Sequence, residues 1–282
     1  MTIGDALKEV QVELGLTAEE MTAGVISKGT YSKVINNKTR LSSDLLLKIL
    51  FSHGIDIEVF FNKTKDTYAP KNIIIEEKLS QEFGTAFNNH DLVSATNCLK
   101  KIQKQNNNPY LLQRAQIGVA FLSNTIEQLD KNLAQLIVNE LNTHENWVSN
   151  LQALKLFSNS MLVLSDEKVE VLMKIFFIRL KRMNIKSETM IERYAIICSN
   201  YLHWKYDSLK QAKSQEKNKH KRNISKSIKY LTKLDKSPRF LIYKILGNYY
   251  KNIFTGDIDS AINIKYHLKE LGFTSLTENW PI

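Results

Sequence analysis

Residues 17–40 read TAEEMTAGVISKGTYSKVINNKTR and predict a helix, a tight turn and a second helix. Thr17 can cap the first helix because its hydroxyl accepts a backbone N–H that the helix leaves unpaired. Glu20 stands where a capping box places its carboxylate. Gly24 permits the turn because glycine adopts left-handed backbone angles without steric cost. The apolar residues whose spacing turns them towards a core are Ala18, Met21, Val25, Val34 and Ile35.

The second helix of this pair has a polar and basic side, and no acidic residue occurs between Val25 and Ser43. Hydrogen-bonding and cationic side chains on a short exposed helix suit the major groove of duplex DNA, which presents base edges between phosphates. The alternative is a polar helix side that is only solvated. We predict groove contacts from Lys28, Thr30, Tyr31 and Lys33, and contacts to DNA phosphates from Asn37, Lys38 and Arg40. Ser27 is a further candidate for DNA binding.

The composition favours an almost entirely helical protein. Of 282 residues 43% are hydrophobic, and only 10 are glycine and 4 proline, whereas sheet-rich chains of this size usually need more turn residues. Cys98 and Cys198 lie in apolar helical patterns, so we expect buried free thiols rather than a disulfide or redox pair. No apolar run approaches the ~18 residues that span a bilayer. The first residues lack the pattern of a secretion signal, which leads us to expect a cytoplasmic protein.

The formal net charge of +10 is unevenly distributed along the chain. Residues 1–66 contain 8 basic and 9 acidic residues, whereas residues 205–244 contain 13 basic and 3 acidic residues. The basic stretch 205–244 therefore accounts for the whole excess. It is a solvated helix and loop, an additional contact to the DNA backbone, or a rim that attracts an acidic peptide.

The sequence pattern divides the chain into two regions. Residues 1–65 predict five short helices at 2–14, 17–23, 27–36, 44–53 and 57–61, the last of which closes a small bundle with Val59, Phe60 and Phe61. Residues 66–71 are polar, include Pro70 and read as a linker. Residues 72–282 then predict about five pairs of amphipathic helices, which is typical of an α-solenoid. The predicted helices are 72–89, 91–104, 109–122, 125–141, 146–164, 166–183, 187–206, 208–236, 238–254 and 257–271.

Two of these pairs share a visible signature. DLVSATN at 91–97 and DIDSAIN at 257–263 match at Asp, Ser, Ala and Asn in the same spacing. We expect the aspartate to cap the second helix of each pair and the alanine to lie at the contact between the helices. Residues 246–262, LGNYYKNIFTGDIDSAI, resemble a tetratricopeptide repeat through Leu246, Gly247, Tyr250 and Ala261.

The first 65 residues resemble the lambda-repressor-like helix-turn-helix class. Within them ISKGTYSKVINNKTRLSSDLLLKIL at 26–50, followed by GIDIEVFF at 54–61, resembles the Rgg/MutR transcription regulators, which join such a domain to a tetratricopeptide-like repeat domain. The wider group includes PlcR-like sensors. The resemblance implies an all-α, homodimeric regulator that binds a double-stranded DNA operator and senses a short peptide pheromone, as in quorum sensing. It also implies that the repeat domain binds the peptide on its concave face and dimerises.

A peptide groove needs side chains that hydrogen-bond peptide amides, together with apolar pockets. The first helix of each pair would line the concave face. The alternative for each polar residue is a hydrogen bond between helices. The candidates are Arg114, Asn159, Arg193, Tyr194, Asn200, Tyr201, Tyr243 and Asn248.

The sequence offers little support for catalysis. The six histidines are scattered without metal-ligand spacing, and His203 with Trp204 lies in a helical stripe that is more typical of a core. No nucleophile elbow, phosphate-binding loop or dinucleotide fingerprint occurs. We therefore expect no enzyme, no metal, no cofactor and no membrane partner. Two alternatives to a peptide-controlled regulator stay open: a DNA-binding repressor whose repeats only dimerise, and a helical-repeat scaffold for a protein partner.

Overall fold

The computed structural model describes residues 1–105, 108–129, 132–143, 146–184, 187–211, 221–278 and 280–282. Over these residues the chain is all-α, and no strand occurs among them. Residues separate into two compact units, Met1–Lys78 and Leu79–Ile282. The predicted fold class, a helix-turn-helix bundle followed by helical repeats, is confirmed.

The first unit is built from short capped helices around one core. Thr2, Thr17, Ser27, Ser42 and Asp56 each accept a backbone N–H at the start of a helix. The helices are α1 (Ile3–Glu13), α2 (Ala18–Thr22), α3 (Lys28–Ile35), α4 (Ser43–Ser52) and α5 (Ile57–Tyr68). Their buried apolar residues are Ala6, Leu7, Val10, Met21, Tyr31, Val34, Leu46, Ile49, Leu50 and Phe60.

The turn between α2 and α3 has the predicted chemistry. Thr17 and Glu20 form both hydrogen bonds of the capping box, and Gly24 has a φ of 70°. Ala23 is also left-handed, with a φ of 47°. A second glycine, Gly4, is required because there is no room for a side chain. A Cβ at this position would overlap the carbonyl oxygen of Val34. Glycine at position 4 therefore lets α1 approach α3 closely enough to complete the core.

The end of the first unit differs from the prediction. Helix α5 continues seven residues past Phe61 to Tyr68, and α6 begins at Lys71, so most of the predicted linker 66–71 is helical. Phe60 is buried, but Val59 and Phe61 are 55% and 42% exposed, because one helix turns only one side towards a core. The extension is stabilised by Lys63, whose ammonium binds Glu13 of α1 at 2.8 Å and also binds Glu9.

Alternate helices of the second unit pack against one another. Helix α8 packs on α10, α10 on α12 and α12 on α14, while α7, α13 and α15 pack on the flanks of this series. The division between units falls inside α6. The helices are α6 (Lys71–Asn88), α7 (Leu92–Gln105), α8 (Pro109–Leu122), α9 (Leu133–Thr143), α10 (Leu151–Ser160), α11 (Asp166–Leu180), α12 (Glu188–Gln211), α13 (Lys221–Thr232), α14 (Leu241–Thr255), α15 (Ile258–Glu270) and α16 (Thr274–Thr277).

Several predicted helices have different ends. The helix predicted at 125–141 is interrupted because Leu129 is extended, with a ψ of 147°, and among the described residues of this range 126–128 and those of α9 are helical. The helix predicted at 146–164 ends at Ser160, and the hydroxyl of Ser165 caps α11. Helix α12 runs five residues beyond the predicted end, to Gln211. Of the helix predicted at 208–236, residues 208–211 belong to α12, residues 212–220 lie outside the described residues, and α13 ends at Thr232.

The two signature segments behave as predicted. The carboxylates of Asp91 and Asp257 accept the backbone N–H of Ser94 at 2.9 Å and of Ser260 at 3.2 Å. Ala95 and Ala261 are fully buried. A Cβ at Gly247 would lie 2.7 Å from Cβ of Leu231, so this glycine allows α14 to pack closely on α13.

Two further expectations concern the thiols and the apolar helices. Cys98 and Cys198 are free and buried, as predicted. In the part of the chain that the structure describes, no helix is both long enough and apolar enough to cross a bilayer.

Candidate functional site

Helix α3 turns a polar and basic side to solvent. Lys28, Ser32, Lys33 and Asn36 are exposed and recur at spacings that place them on one side of the helix. Ser32 and Asn36 were not among the predicted residues, although their spacings of four and eight from Lys28 could have identified them. Ser27 is the N-cap, and its hydroxyl also hydrogen-bonds that of Thr30 at 2.9 Å.

Tyr31 belongs to the core, so the prediction that it contacts a DNA groove is wrong. Its side chain is 0% exposed, and its hydroxyl donates to Oε1 of Gln11 at 2.9 Å, with the carbonyl oxygen of Leu7 at 3.3 Å. Burial raises the pKa of Tyr31 to about 12, which keeps the phenol protonated as a donor. The spacing of three to the buried Val34 is the signal that could have placed it correctly.

Asn37 ends α3 in a left-handed conformation, with a φ of 58°. Its amide nitrogen donates to Asp5 at 3.0 Å, and the hydroxyl of Thr2 donates to its oxygen at 2.7 Å. Hydrogen bonds from Thr2 and then from Asn37 lower the pKa of Asp5. Asn37 therefore ties the end of α3 to the start of α1, which is a structural role at an exposed position.

The cations beside α3 have few acidic partners. The ammonium of Lys28 lies 3.9 Å from the carboxylate of Glu19, and both side chains are exposed. An exposed ion pair of this kind contributes little to the stability of the fold. Within the described ranges no carboxylate lies within ion-pair distance of Lys33, Lys38 or Arg40. These three predicted residues are exposed and keep their positive charge available.

The second unit contains a groove of about 510 Å³ along α8, α10 and α12. At Gly118 a Cβ would lie 2.7 Å from the ring of Phe83, so a larger residue there would push that ring or narrow the groove. The apolar lining consists of Phe87, Ile117, Phe121, Met161, Leu162 and Trp204.

The polar lining includes two predicted amides, Asn159 and Asn200. The amide nitrogen of Asn200 donates to the carbonyl oxygen of Ser158 at 3.1 Å, and the hydroxyl of Ser158 donates to Asn159 at 3.2 Å. His203 also lines the groove, with Nδ1 3.0 Å from the hydroxyl of Tyr250 and Nε2 3.4 Å from Asp207. Burial lowers the pKa of His203. Sequence reasoning missed His203 and Trp204 because a half-buried aromatic stripe has the same spacing as a core stripe.

Four predicted peptide contacts lie elsewhere. Tyr194 and Tyr201 are fully buried, and their hydroxyls donate to the carbonyl oxygen of Val148 and to Glu170, both at 2.8 Å. Their spacing of seven places both on the core side of α12, so the prediction that they face the groove is wrong. Tyr243 donates to Glu192 at 3.1 Å. Asn248 lines a different cavity, between α12, α13 and α14.

The two predicted arginines, Arg114 of α8 and Arg193 of α12, are half-buried. Neither is among the residues that line the groove. Arg114 is four residues before Gly118, and Arg193 is seven before Asn200, so helical spacing places each on the same side of its helix as these lining residues. Burial lowers the pKa of both guanidinium groups, to about 10 for Arg114.

A buried ionic cluster supports one side of the groove. Lys205 is 1% exposed, and its ammonium lies 3.2 Å from Glu170 and 3.3 Å from Asp166. The amide of Asn223 donates to Glu170 at 2.7 Å. Asp166 also accepts from the hydroxyl of Ser208 at 3.0 Å, and both of these residues line the groove. The cluster thus joins α11, α12 and α13 beneath the groove.

The described part of the basic stretch forms two cationic cavities beside α13. One, of about 870 Å³, lies between α11 and α13, and the other, of about 900 Å³, between α12, α13 and α14. Burial, and then the charges of Arg222, Lys174 and Lys181, lower the pKa of Lys226. Lys229 and Lys233 line both cavities. The three interpretations of this stretch stay open.

The residues that the structure describes contain no group of three potential metal ligands.

Comparison with known proteins identifies the fold. No family model matches the sequence, and no curated protein sequence is similar to it. The chain is similar to the SHP pheromone receptor Rgg2 of Streptococcus dysgalactiae, with a TM-score of 0.71, 15% identity and coverage of 97% of this chain and 95% of that one.

It is also similar to PrgX in its complex with cCF10, with a TM-score of 0.68, 18% identity and coverage of 99% and 98%. A bacterial peptide pheromone/receptor complex gives a TM-score of 0.67, 18% identity and coverage of 98% and 96%. The chain has the fold of these receptors. The resemblance predicted from the sequence is thereby confirmed at the level of the fold, since such low identities do not by themselves establish function.

Proposed function

We propose that the protein is a transcription regulator that binds double-stranded DNA through α3 and is controlled by a short peptide held in the groove. The observation that carries this proposal is the groove itself, which combines apolar pockets with two amide side chains on the packed series α8, α10 and α12. The structures with the same fold include a pheromone receptor and a bacterial peptide pheromone/receptor complex.

The DNA-binding part of the proposal rests on the exposed side of α3. Lys28, Ser32, Lys33 and Asn36 offer donors and acceptors to base edges, and Lys38 with Arg40 follows at the carboxyl end. Four cations on one unit neutralise few phosphates, so a single copy would bind weakly. We therefore propose a homodimer on a two-fold symmetric operator, with residues 1–65 in contact with DNA and residues 72–282 binding peptide and partner.

The peptide part of the proposal follows from the chemistry of the groove. Its volume is in the range of ligand sites, about 300–1,000 Å³. Phe121, Leu162 and Trp204 offer apolar surface to peptide side chains. The amides of Asn159 and Asn200 each provide donors and an acceptor, which matches the alternating groups of a peptide backbone.

Lys33→Ala tests the DNA interface. We expect affinity for the DNA upstream of the encoding gene to fall about ten-fold or more in a gel shift, because a charge-assisted hydrogen bond is lost from each α3. Lys100→Ala removes an exposed lysine from the second unit and serves as the control. Equal affinities for Lys33→Ala and the unmodified chain would contradict the assignment of α3.

Asn200→Ala tests the groove. The full-length protein is mixed with a library of apolar heptapeptides, and retained peptides are identified by mass spectrometry. We expect retention by the unmodified chain, loss with Asn200→Ala, and no loss with Asn248→Ala, because Asn248 lies in the other cavity. If no peptide is retained and DNA still binds, the chain is instead a repressor whose repeats serve only to dimerise.

A further inference from the structure

Helical spacing places Arg114 and Arg193 on the sides of α8 and α12 that line the groove, although neither is itself a lining residue. Both helices pack on α10. On α8, residues 114, 118 and 121 follow at spacings of four and three, so Arg114 is about 6 Å along the helix from Gly118. On α12, residues 193, 200, 204 and 207 share a side, and Arg193 is about 10 Å from Asn200. The two arginines therefore lie beyond the lined part of the groove, towards the amino ends of these helices.

Both guanidinium groups contain buried nitrogen atoms that have no acceptor among the described residues. Nε and Nη1 of Arg114 and Nε of Arg193 are inaccessible to solvent and hydrogen-bond nothing among the described residues. Arg239 shows the ordinary arrangement, because it binds Glu188 at 3.0 Å and Glu192 at 2.8 Å. A guanidinium stays charged in proteins, and a desolvated charge without a partner is unfavourable. The burial of these two charges is therefore unfavourable for the stability of the peptide-free protein.

The two cations also repel each other. Burial is the larger cause of the lowered pKa of Arg114, and the charge of Arg193 lowers it further. Glu192 and Tyr243 offset part of the desolvation at Arg193. The carboxylate of Glu192, however, already accepts hydrogen bonds from Arg239 and from Tyr243. Two neighbouring cations that are only partly compensated form a site for an anion.

We propose that Arg114 and Arg193 bind a carboxylate of the peptide held in the groove. This inference rests on the proposed function and specifies which end or side chain of the ligand is recognised. The carboxylate is the peptide's terminal one or that of an Asp or Glu side chain, since the planar guanidinium presents paired donors to either. Apolar side chains would then occupy the pockets along Phe121, Leu162 and Trp204.

Three heptapeptide libraries distinguish these sources. The first has neutral apolar residues and a free terminal carboxylate, the second has a terminal amide and one Asp or Glu, and the third has a terminal amide and no acid. We expect the full-length protein to retain the first or the second at least about ten-fold better than the third. Arg114→Gln and Arg193→Gln should remove that preference while leaving weak retention of apolar peptides.

Arg179→Gln is the matched control. Arg179 also has a buried guanidinium nitrogen without an acceptor among the described residues. It lies on α11, thirteen residues after Asp166, which lines the groove, and this spacing turns Arg179 to the opposite side of that helix. The preference for a carboxylate should survive this change. Circular dichroism shows whether each variant is folded. Arg114→Lys is a second variant, which keeps the positive charge but loses the paired donors of the guanidinium, and we expect it to have an intermediate preference for a carboxylate.

Thermal unfolding gives an independent readout. Removal of an uncompensated buried cation should raise the Tm of the peptide-free protein in Arg114→Gln, although the same variant loses the preference for a carboxylate. A lower Tm together with an unchanged preference would show a purely structural arginine and overturn the inference. Equal retention of the three libraries would overturn the carboxylate site alone. Retention of none would overturn the proposed peptide function and this inference with it.

Discussion

The hydroxyl of Tyr31 connects the helix proposed to read DNA to the helix that supports it. It donates to Gln11 of α1, while the exposed residues around it point away from the core. The side chain that looks most suited to stacking on a base is therefore the one that holds α3 in place. Gln11 also holds the segment that follows α1, because its amide nitrogen donates to the carbonyl oxygen of Leu16 at 3.0 Å.

Tyr31→Phe separates these two roles. We expect the first unit to lose about 1 kcal/mol of its free energy of unfolding, because the hydrogen bond to Gln11 is lost while the ring still fills the core. Affinity for the upstream DNA should stay within a factor of two of that of the unmodified chain. Chemical denaturation and a gel shift measure the two quantities. Unchanged stability with weakened DNA binding would return Tyr31 to the DNA-contacting surface.

At this scale the sequence predicted local chemistry well and orientation less well. The capping roles of Thr17, Asp91 and Asp257 depend on residues within three positions, so they are visible in the sequence. Whether Tyr31 or Tyr201 points inward depends on helices far away in the chain. A tyrosine carries a polar hydroxyl on an aromatic ring, so it is compatible with both the buried and the exposed side of a helix.

Among the helices, the ionic cluster around Lys205 joins α11, α12 and α13. Lys205→Met should destabilise the second unit by about 3–5 kcal/mol, because the buried Glu170 would lose the ammonium group that lies 3.2 Å from it. The double variant Lys205→Met with Glu170→Gln should recover part of that loss, since no buried charge remains. Urea denaturation of the two single variants and the double variant measures the coupling. Strict additivity of the two losses would contradict a direct ion pair.

Helix boundaries show the same division between local and distant causes. Helix α8 has the predicted ends because Asn108 caps it and Pro109 suits its first turn. The extension of α5 to Tyr68 depends on Lys63 meeting Glu9 and Glu13, which lie about fifty residues earlier. The groove is still harder to predict, because its lining comes from several helices whose relative placement no local pattern encodes.

For the molecule as a whole, charge distribution determines how binding to DNA responds to salt. If only Lys28, Lys33, Lys38 and Arg40 neutralise phosphates, the slope of log affinity against log salt is about −3.6 for one copy and about −7 for two. We expect the value for two copies from titrations between 50 and 200 mM salt. A slope near −3.6 would contradict a dimer on DNA.

The same titration tests the basic stretch. Lys229→Ala with Lys233→Ala leaves the slope unchanged if α13 is solvated or faces a peptide, and makes it less steep by about 2 per copy if α13 contacts the DNA backbone. Lys100→Ala with Lys104→Ala provides a control with the same change in charge on α7.

The two buried thiols can report local unfolding of the second unit. Cys98 packs with α6, α7 and α8, whereas Cys198 lies in the larger cluster that extends to α15. Burial raises the pKa of both, and only a thiolate reacts rapidly with a disulfide reagent. Each thiol therefore reacts slowly with the reagent until the cluster around it opens. Labelling rates at the two sites, read by mass spectrometry, would give the opening free energies of the two clusters separately, without any introduced probe.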